Sequence, residues 1–200
     1  MEYLPTTFND HLRKDKKDAV KLANQTLKTI DFLKRKKIIH FDMHFYNILT
    51  DGVRPYITDF GLGLDLSFDL SKDEKRFFTR HINYDYGEFI GSMGFQLIAD
   101  YDAFSKTKKN KISKLIDIKE GDCNIVKQEK IINALSLLKN DGAFGLTTPY
   151  INFLKKHKNT ILLTTKFFVE ARDSDDRNTL FSSPKLKRAL LETDVIRSLS

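Results

Sequence analysis

The chain has very little cysteine and no tryptophan. Cys123 is its only cysteine, so no disulfide can form within the chain. A protein without disulfides is typical of a reducing compartment, and we expect a cytoplasmic location. Residues 1–20 lack the apolar core of a secretory signal peptide, and no run of about 18 apolar residues occurs. We therefore expect neither an export signal nor a membrane span.

Acidic residues are outnumbered by basic ones, 27 against 34, which gives a net charge of +7. The basic residues gather in four short runs, at residues 13–17, 34–37, 106–111 and 155–158. Such runs can bind nucleic acid or anionic membranes, but no aromatic side chains interleave with these and no nucleic-acid motif accompanies them. We interpret the runs as solvated helix ends and expect no nucleic-acid partner.

Residues with distinctive chemistry lie close together in the first third of the chain. Residues 40–47 form an H-x-D-x-x-x-x-N sequence, and Asp59-Phe60-Gly61 follows shortly after it. Phosphoryl transfer needs one carboxylate that orients the accepting hydroxyl and takes its proton, and further oxygen ligands that hold magnesium on the phosphates. Asp42 suits the first role, and Asn47 with Asp59 suits the second.

The spacing of these residues predicts a β-hairpin that brings the two metal ligands together. Residues 47–50 and 55–58 have the composition of short strands, and Asp51-Gly52 between them is typical of a tight turn. Antiparallel pairing would place Asn47, at the start of the first strand, beside Asp59, at the end of the second.

Taken together, residues 17–65 resemble the C-lobe of the protein-kinase-like superfamily. A helix, an H-x-D loop, a hairpin and a D-F-G sequence occur in the order of that family and at nearly its spacing. Residues 1–4 resemble the hinge between the two kinase lobes, and residues 6–12 resemble the short helix that follows, so residues 1–12 would be a hinge-like start. The resemblance implies ATP and Mg²⁺ as cofactors.

The resemblance also implies roles for individual residues. Asp42 would be the catalytic base, and Asn47 and Asp59 would be magnesium ligands that also bind the nucleotide. Leu49 would form the floor under the adenine ring. Three more residues would support the loop, as partners in the internal hydrophobic column or as an anchor on the next helix: His40, Phe60 and Asp85.

Two positions depart from the protein-kinase pattern. Phe41 replaces the arginine of H-R-D, so we do not expect control by a phosphorylated activation loop, because the charge that would bind the phosphate is missing. His44 stands where protein kinases usually carry lysine. A histidine there resembles the aminoglycoside and choline phosphotransferases, and we include His44 among the catalytic candidates, as a phosphate contact or else a solvent-facing loop residue.

The sequence contains no A-P-E motif, no glycine-rich loop and no V-A-I-K-type lysine. We therefore expect the N-lobe to be absent from this chain. The leading hypothesis is an ATP-dependent phosphotransferase acting on a hydroxyl, with protein serine or threonine slightly favoured and a small-molecule acceptor as the alternative. A hypothesis of another class is a non-catalytic kinase-like binding module, or a remnant without its N-lobe.

For the fold we expect an α+β, mostly α domain over residues 1–200: a kinase-like C-lobe in which a helical bundle carries one small hairpin. Residues 84–200 would form a helical remainder after the motif-bearing region. Apolar periodicity and capping residues predict helices at residues 18–34, 86–99, 128–138, 148–157 and 183–199. Residues 160–172 would be a further helix or a buried segment, and residues 173–177 a polar break. Residues 104–121 would be a loop with a short helix, and the acidic residues after D-F-G would lie in a solvated loop.

Overall fold

The computed structural model describes residues 6–142, 144–173 and 183–196, and in these the protein is α+β and mostly helical. The helices are α1 (Phe8–Lys14), α2 (Ala19–Arg35), α3 (Lys72–His81), α4 (Tyr84–Asp102), α5 (Lys106–Ile116), α6 (Asn124–Asn133), α7 (Leu135–Asp141), α8 (Thr148–Lys156), α9 (Lys158–Asp173) and α10 (Ser183–Glu192). The strands are β1 (Thr6–Thr7), β2 (Ile38–Ile39), β3 (Ile48–Thr50), β4 (Pro55–Ile57) and β5 (Leu64–Asp65). Three predicted features lie outside the described residues: the hinge at residues 1–4, residues 174–177 of the polar break, and the end of the last helix beyond residue 196.

The strands pair as two small antiparallel sheets, one with the order β1-β3-β4 and one of β2 with β5. The β3–β4 hairpin pairs Ile48 with Ile57. Its turn is held by the Asp51 carboxylate, which accepts hydrogen bonds from the backbone N–H groups of Val53 and Arg54, each at 2.7 Å. This side chain satisfies donors that the tight turn would otherwise leave unpaired. The hairpin predicted from the Asp51-Gly52 turn is confirmed.

Helix α4 runs through the middle of the molecule and is buried on almost every side. It packs closely against α9, and glycine makes this possible at two positions. A Cβ at Gly91 would lie 2.5 Å from Thr164 Cγ2, and a Cβ at Gly94 would overlap the side chain of Ile161. The helix predicted at residues 86–99 is confirmed, and it extends beyond this range at both ends.

Helix α2 leads into the loop that carries the motif and has one buried face. The buried residues recur at three- and four-residue steps: Ala19, Leu22, Ala23, Thr26, Ile30 and Leu33. The apolar period of the sequence also includes Val20 and Leu27, but these two side chains are only half-buried and pack at the edge of the core. The helix lies where the sequence predicts it, rotated slightly about its axis.

Helix α3 lies where a solvated loop is predicted, so that prediction was wrong from residue 72 onward. A capping box starts the helix: the Ser71 hydroxyl accepts from Glu74 N at 3.2 Å, and the Glu74 carboxylate accepts from Ser71 N at 2.7 Å. Phe78 and His81 are its buried residues. A reciprocal cap of this kind satisfies two N–H groups at once and stabilises a helix with few buried residues.

Other boundaries also differ from the predictions. The helix predicted at 128–138 is two helices, α6 and α7, which meet at Ala134 with non-helical backbone angles. Residues 106–116 form a full helix that buries only Ile112. Thr7 is the N-cap of α1, so the short helix predicted at 6–12 starts later, after a strand. Likewise Thr147 caps α8, and α10 ends at Glu192. None of the described helices is both long enough and apolar enough to cross a membrane.

Candidate active site

The Asp42 carboxylate lies in the loop between β2 and β3 and is held by the amide of Asn47. Asn47 Nδ2 donates to Asp42 Oδ2 at 2.7 Å and to the Asp42 backbone oxygen at 3.0 Å. The amide oxygen of Asn47, which is the atom that could hold a metal ion, is on the other arm of the carboxamide. One residue thus connects the candidate base with the candidate metal position.

His44 holds the same carboxylate from the other side. Its Nδ1 accepts from Tyr46 N at 3.2 Å and caps the short 3₁₀ turn of residues 45–47. Because Nδ1 is an acceptor, the proton of the neutral ring is on Nε2, which lies 3.3 Å from Asp42 Oδ1. His44 is therefore not merely a solvent-facing residue, since it orients Asp42. The carboxylate still remains about one-third exposed, at 29 %.

The hairpin brings the start of β3 next to the residues that lead to Asp59. Thr58 donates to the Asn47 backbone oxygen twice, through its N–H at 2.9 Å and its hydroxyl at 3.1 Å. Asp59 comes directly after Thr58, has a left-handed backbone with φ of 59°, and accepts from Gly61 N at 3.3 Å. The carboxylate is exposed at this end of the hairpin. The arrangement places the candidate metal ligands at neighbouring strand ends.

His40 ties the loop to the hairpin from inside the core. Its side chain is fully buried, Nδ1 accepts from Asp42 N at 3.3 Å, and Nε2 lies 2.9 Å from the Thr58 backbone oxygen. The accepting Nδ1 again requires the proton on Nε2, which donates to Thr58. The ring also meets Phe60 edge-on, with 4.6 Å between ring centroids. A neutral His40 therefore fixes the spacing between Asp42 and the Asp59 turn.

Two buried acids of α4 hold the backbone of the loop. Asp85 accepts from His40 N at 2.8 Å and from Phe41 N at 2.9 Å. Glu88, one turn further along α4, accepts from Met43 N at 2.6 Å. The anchoring contact implied for Asp85 is present, whereas the contact of Glu88 was not predicted. Two acids one helical turn apart, near the start of a helix that is largely apolar and buried, are the signal that could have found it.

The surroundings of these acids shift their proton equilibria. Burial raises the pKa of Asp85, although the N–H groups of His40 and Phe41 act in the opposite direction. Burial raises the pKa of Glu88 to about 8, and the negative charges of Asp85 and Asp42 add to this effect. Near neutral pH the Glu88 carboxyl is therefore mostly protonated and carries little charge.

Phe41, between His40 and Asp42, packs into an aromatic cluster. Its ring centroid lies 5.5 Å from that of Phe77, 5.4 Å from that of Tyr84 and 6.1 Å from that of His81. The backbone of Phe41 is left-handed, with φ of 64°, which is uncommon for a large side chain. Packing against α3 and α4, together with the Asp85 hydrogen bond, holds Phe41 in this conformation.

Leu49 lies in the middle strand of the three-stranded sheet and is half-buried. The sequence-based hypothesis expects Leu49 to contact adenine. Leu49 lies opposite Thr7 on β1 and therefore beside the start of α1.

Among residues 6–142, 144–173 and 183–196, no three His, Cys, Asp or Glu side chains form a group that could hold a metal ion. The predicted site has one carboxylate, from Asp59, and one amide, from Asn47. Magnesium is commonly bound through one or two protein groups together with substrate phosphates. These two residues fit that chemistry.

Comparison of the chain with protein-family models, with curated proteins and with solved structures finds no match.

Proposed function

We propose that the chain is a protein-kinase-like C-lobe and that its site transfers the γ-phosphoryl group of Mg·ATP to a hydroxyl acceptor. One observation carries this proposal: the partly exposed Asp42 carboxylate is held between Asn47 and His44, beside a hairpin that leads to Asp59. A base, an amide oxygen and a second carboxylate are the groups that phosphoryl transfer requires.

In this proposal Asp42 orients the acceptor hydroxyl and takes its proton as the oxygen attacks the γ-phosphorus. The new O–P bond forms while the bond to the bridging oxygen breaks, ADP leaves, and the proton passes from Asp42 to solvent. Asn47 and Asp59 would hold magnesium, which neutralises charge on the phosphates when it is bound. His44 and Asn47 keep the base in one orientation, which lowers the entropic cost of the reaction.

The acceptor class follows from two conflicting features. The D-F-G sequence favours a protein serine or threonine, and we place that acceptor first. His44 and the lack of an A-P-E motif favour a small-molecule acceptor. A panel of generic protein substrates and aminoglycosides, each incubated with the chain and labelled Mg·ATP, separates the two.

A second candidate function is a non-catalytic binding module. The observation that favours it is the exposure of large apolar side chains around the site: Tyr46 is 60 % exposed, Phe60 47 % and Leu62 65 %. Exposed apolar groups close together are typical of interaction surfaces.

The replacement Asp59→Asn tests the proposed function. Millimolar Mg·ATP is expected to raise the melting temperature of the wild-type protein, because a ligand that binds only the folded state stabilises it. We expect Asp59→Asn to lose this increase and the transfer of label. Asp69→Asn, another exposed acid of the region after D-F-G, is the matched control and should behave as wild type. A wild-type protein with neither a shift nor transfer would overturn the proposal and favour the binding module.

A further inference from the structure

Glu88 is a buried acid of α4 with a contact to the candidate catalytic loop. It is 7 % exposed, and its Oε2 accepts from the backbone N–H of Met43, the residue that directly follows Asp42. We propose that Glu88 is a positioning residue, which fixes the Asp42 carboxylate by holding the backbone at Met43. This inference rests on the proposed function for its consequence in catalysis, but its geometric part can be tested alone.

Asp85 alone cannot hold the backbone on both sides of Asp42. Both of its oxygens are used by the N–H groups of His40 and Phe41, which precede Asp42. Glu88 adds a contact to Met43, which follows Asp42. Helix α4 therefore holds the backbone of the loop between β2 and β3 on both sides of the base. The short Met43–Glu88 distance of 2.6 Å and the fully buried Met43 side chain make this second contact well defined.

The chemistry of Glu88 suits a position so close to the base. A protonated carboxyl still offers its carbonyl oxygen to Met43 N–H, and it adds no negative charge of its own beside Asp42. The raised pKa of Glu88, about 8, agrees with that form. Glutamine has the same shape and the same acceptor, and methionine has a similar shape without a strong acceptor.

The test compares Glu88→Gln with Glu88→Met by two measurements on the whole chain. The first is hydrogen exchange of the Met43 and Phe41 backbone amides, together with the NMR resonances of the Asn47 carboxamide, which contacts Asp42. The second is the kcat and KM for phosphoryl transfer from Mg·ATP. Gln96→Met is the matched control, because Gln96 is a buried polar residue of the same helix, 3 % exposed, bonded to Asp100 and not to the loop.

We expect Glu88→Met to speed exchange at Met43 by about tenfold or more, which is what losing one buried hydrogen bond implies. Phe41, still bonded to Asp85, should stay protected, and the Asn47 carboxamide resonances should shift. The kcat should fall about tenfold with little change in KM, since Mg·ATP contacts are not removed. Glu88→Gln and Gln96→Met should resemble wild type in each of these measurements.

Unchanged exchange at Met43 in Glu88→Met would overturn the inference, as would a Glu88→Gln variant that is as impaired as Glu88→Met. If Glu88→Met does not fold, Glu88→Asp replaces it in the test. The shorter side chain should leave the Met43 N–H poorly bonded, so that this amide exchanges faster. If the wild-type protein transfers no phosphoryl group, the proposed function fails separately. The exchange at Met43 and the Asn47 resonances then still support or refute the positioning of Asp42.

Discussion

At the scale of single residues, the orientation of Asp42 decides what the site can do. Its carboxylate receives Asn47 Nδ2 at 2.7 Å and faces His44 Nε2 at 3.3 Å, yet it keeps enough exposure to meet a substrate. Both neighbours are held by other contacts, because Asn47 also starts the hairpin and His44 caps a turn. The residues that orient the base are therefore fixed by local structure.

His44→Asn separates the two contacts of His44. An asparagine oxygen can replace Nδ1 as the acceptor for Tyr46 N–H, because Asn is a good capping residue, but it cannot reach Asp42 as Nε2 does. We expect the free energy of unfolding to stay within about 0.5 kcal/mol of wild type and kcat to fall about tenfold. Denaturant unfolding and steady-state kinetics measure these quantities.

His44→Ala provides the contrast, because it removes both contacts. It should lower the free energy of unfolding by about 1 kcal/mol in addition to lowering kcat. An asparagine variant with full activity would show that the Nε2 contact to Asp42 does not matter for the reaction.

At the scale of secondary structure, sequence patterns predicted the elements whose cause is local. The β3–β4 hairpin follows from Asp51-Gly52, and α2 follows from its apolar period. Helix α3 was missed although Ser71 and Glu74 form a readable capping box, because its apolar residues are few. The break at Ala134 could not be predicted, since it depends on how α6 and α7 pack in the folded chain.

In the candidate site too, local features could be predicted from the sequence and long-range contacts could not. Asp42, Asn47 and Asp59 could be proposed as site residues from their spacing, because the hairpin that brings Asn47 near the Asp59 turn is local. The contact of Glu88 was not, because it joins residues 45 positions apart and depends on where α4 docks. The orientation of His44 toward Asp42 also required the structure, since the choice between a phosphate contact and a loop residue rested on resemblance.

Gly94→Ala tests the close packing of α4 on α9. Alanine favours helix intrinsically, but its Cβ would overlap Ile161 and the amide of Gln128, two side chains buried in the core. We expect the free energy of unfolding to fall by about 2 kcal/mol, in the range of overpacked cores. Thermal or denaturant unfolding measures the change.

Gly121→Ala is the control, because a Cβ there meets no atom within 4 Å. It should leave the stability nearly unchanged. Equal stability of the two variants would mean that α4 and α9 are further apart than described here.

At the scale of the whole molecule, two buried groups give stability opposite dependences on pH. Burial raises the pKa of Glu88 to about 8, so its contribution is complete at acid pH and is lost as the pH rises through that value. Burial and the charge of Lys156 lower the pKa of His157 to about 4. As the pH falls below about 6.5, His157 binds a proton in the unfolded chain but stays neutral in the folded protein until about pH 4. His157 therefore makes the protein less stable as the pH falls.

His157→Leu should remove the loss of stability that His157 causes at acid pH. His157 is 3 % exposed, its Nδ1 has no hydrogen-bond partner among the described residues, and its ring packs on Phe153 with 4.4 Å between centroids. Because Glu88 titrates alike in both proteins, we expect the free energy of unfolding of the variant, relative to wild type, to rise by about 2 kcal/mol between pH 7.5 and 5. Urea unfolding at both pH values gives this difference, and parallel curves for the two proteins would contradict it.

The contacts between α4 and the loop also determine when the site can form during synthesis and folding. The bonds of Asp85 to His40 and Phe41, and of Glu88 to Met43, close segments of 44 and 45 residues. Closing such segments is slower than forming the hairpin, which needs only neighbouring residues. A nascent chain that has reached residue 65 therefore contains every motif residue of the loop and the D-F-G turn. The local contacts of Asn47 and His44 to Asp42 can form in it, but the loop backbone is not anchored until α4 has left the ribosome and docked.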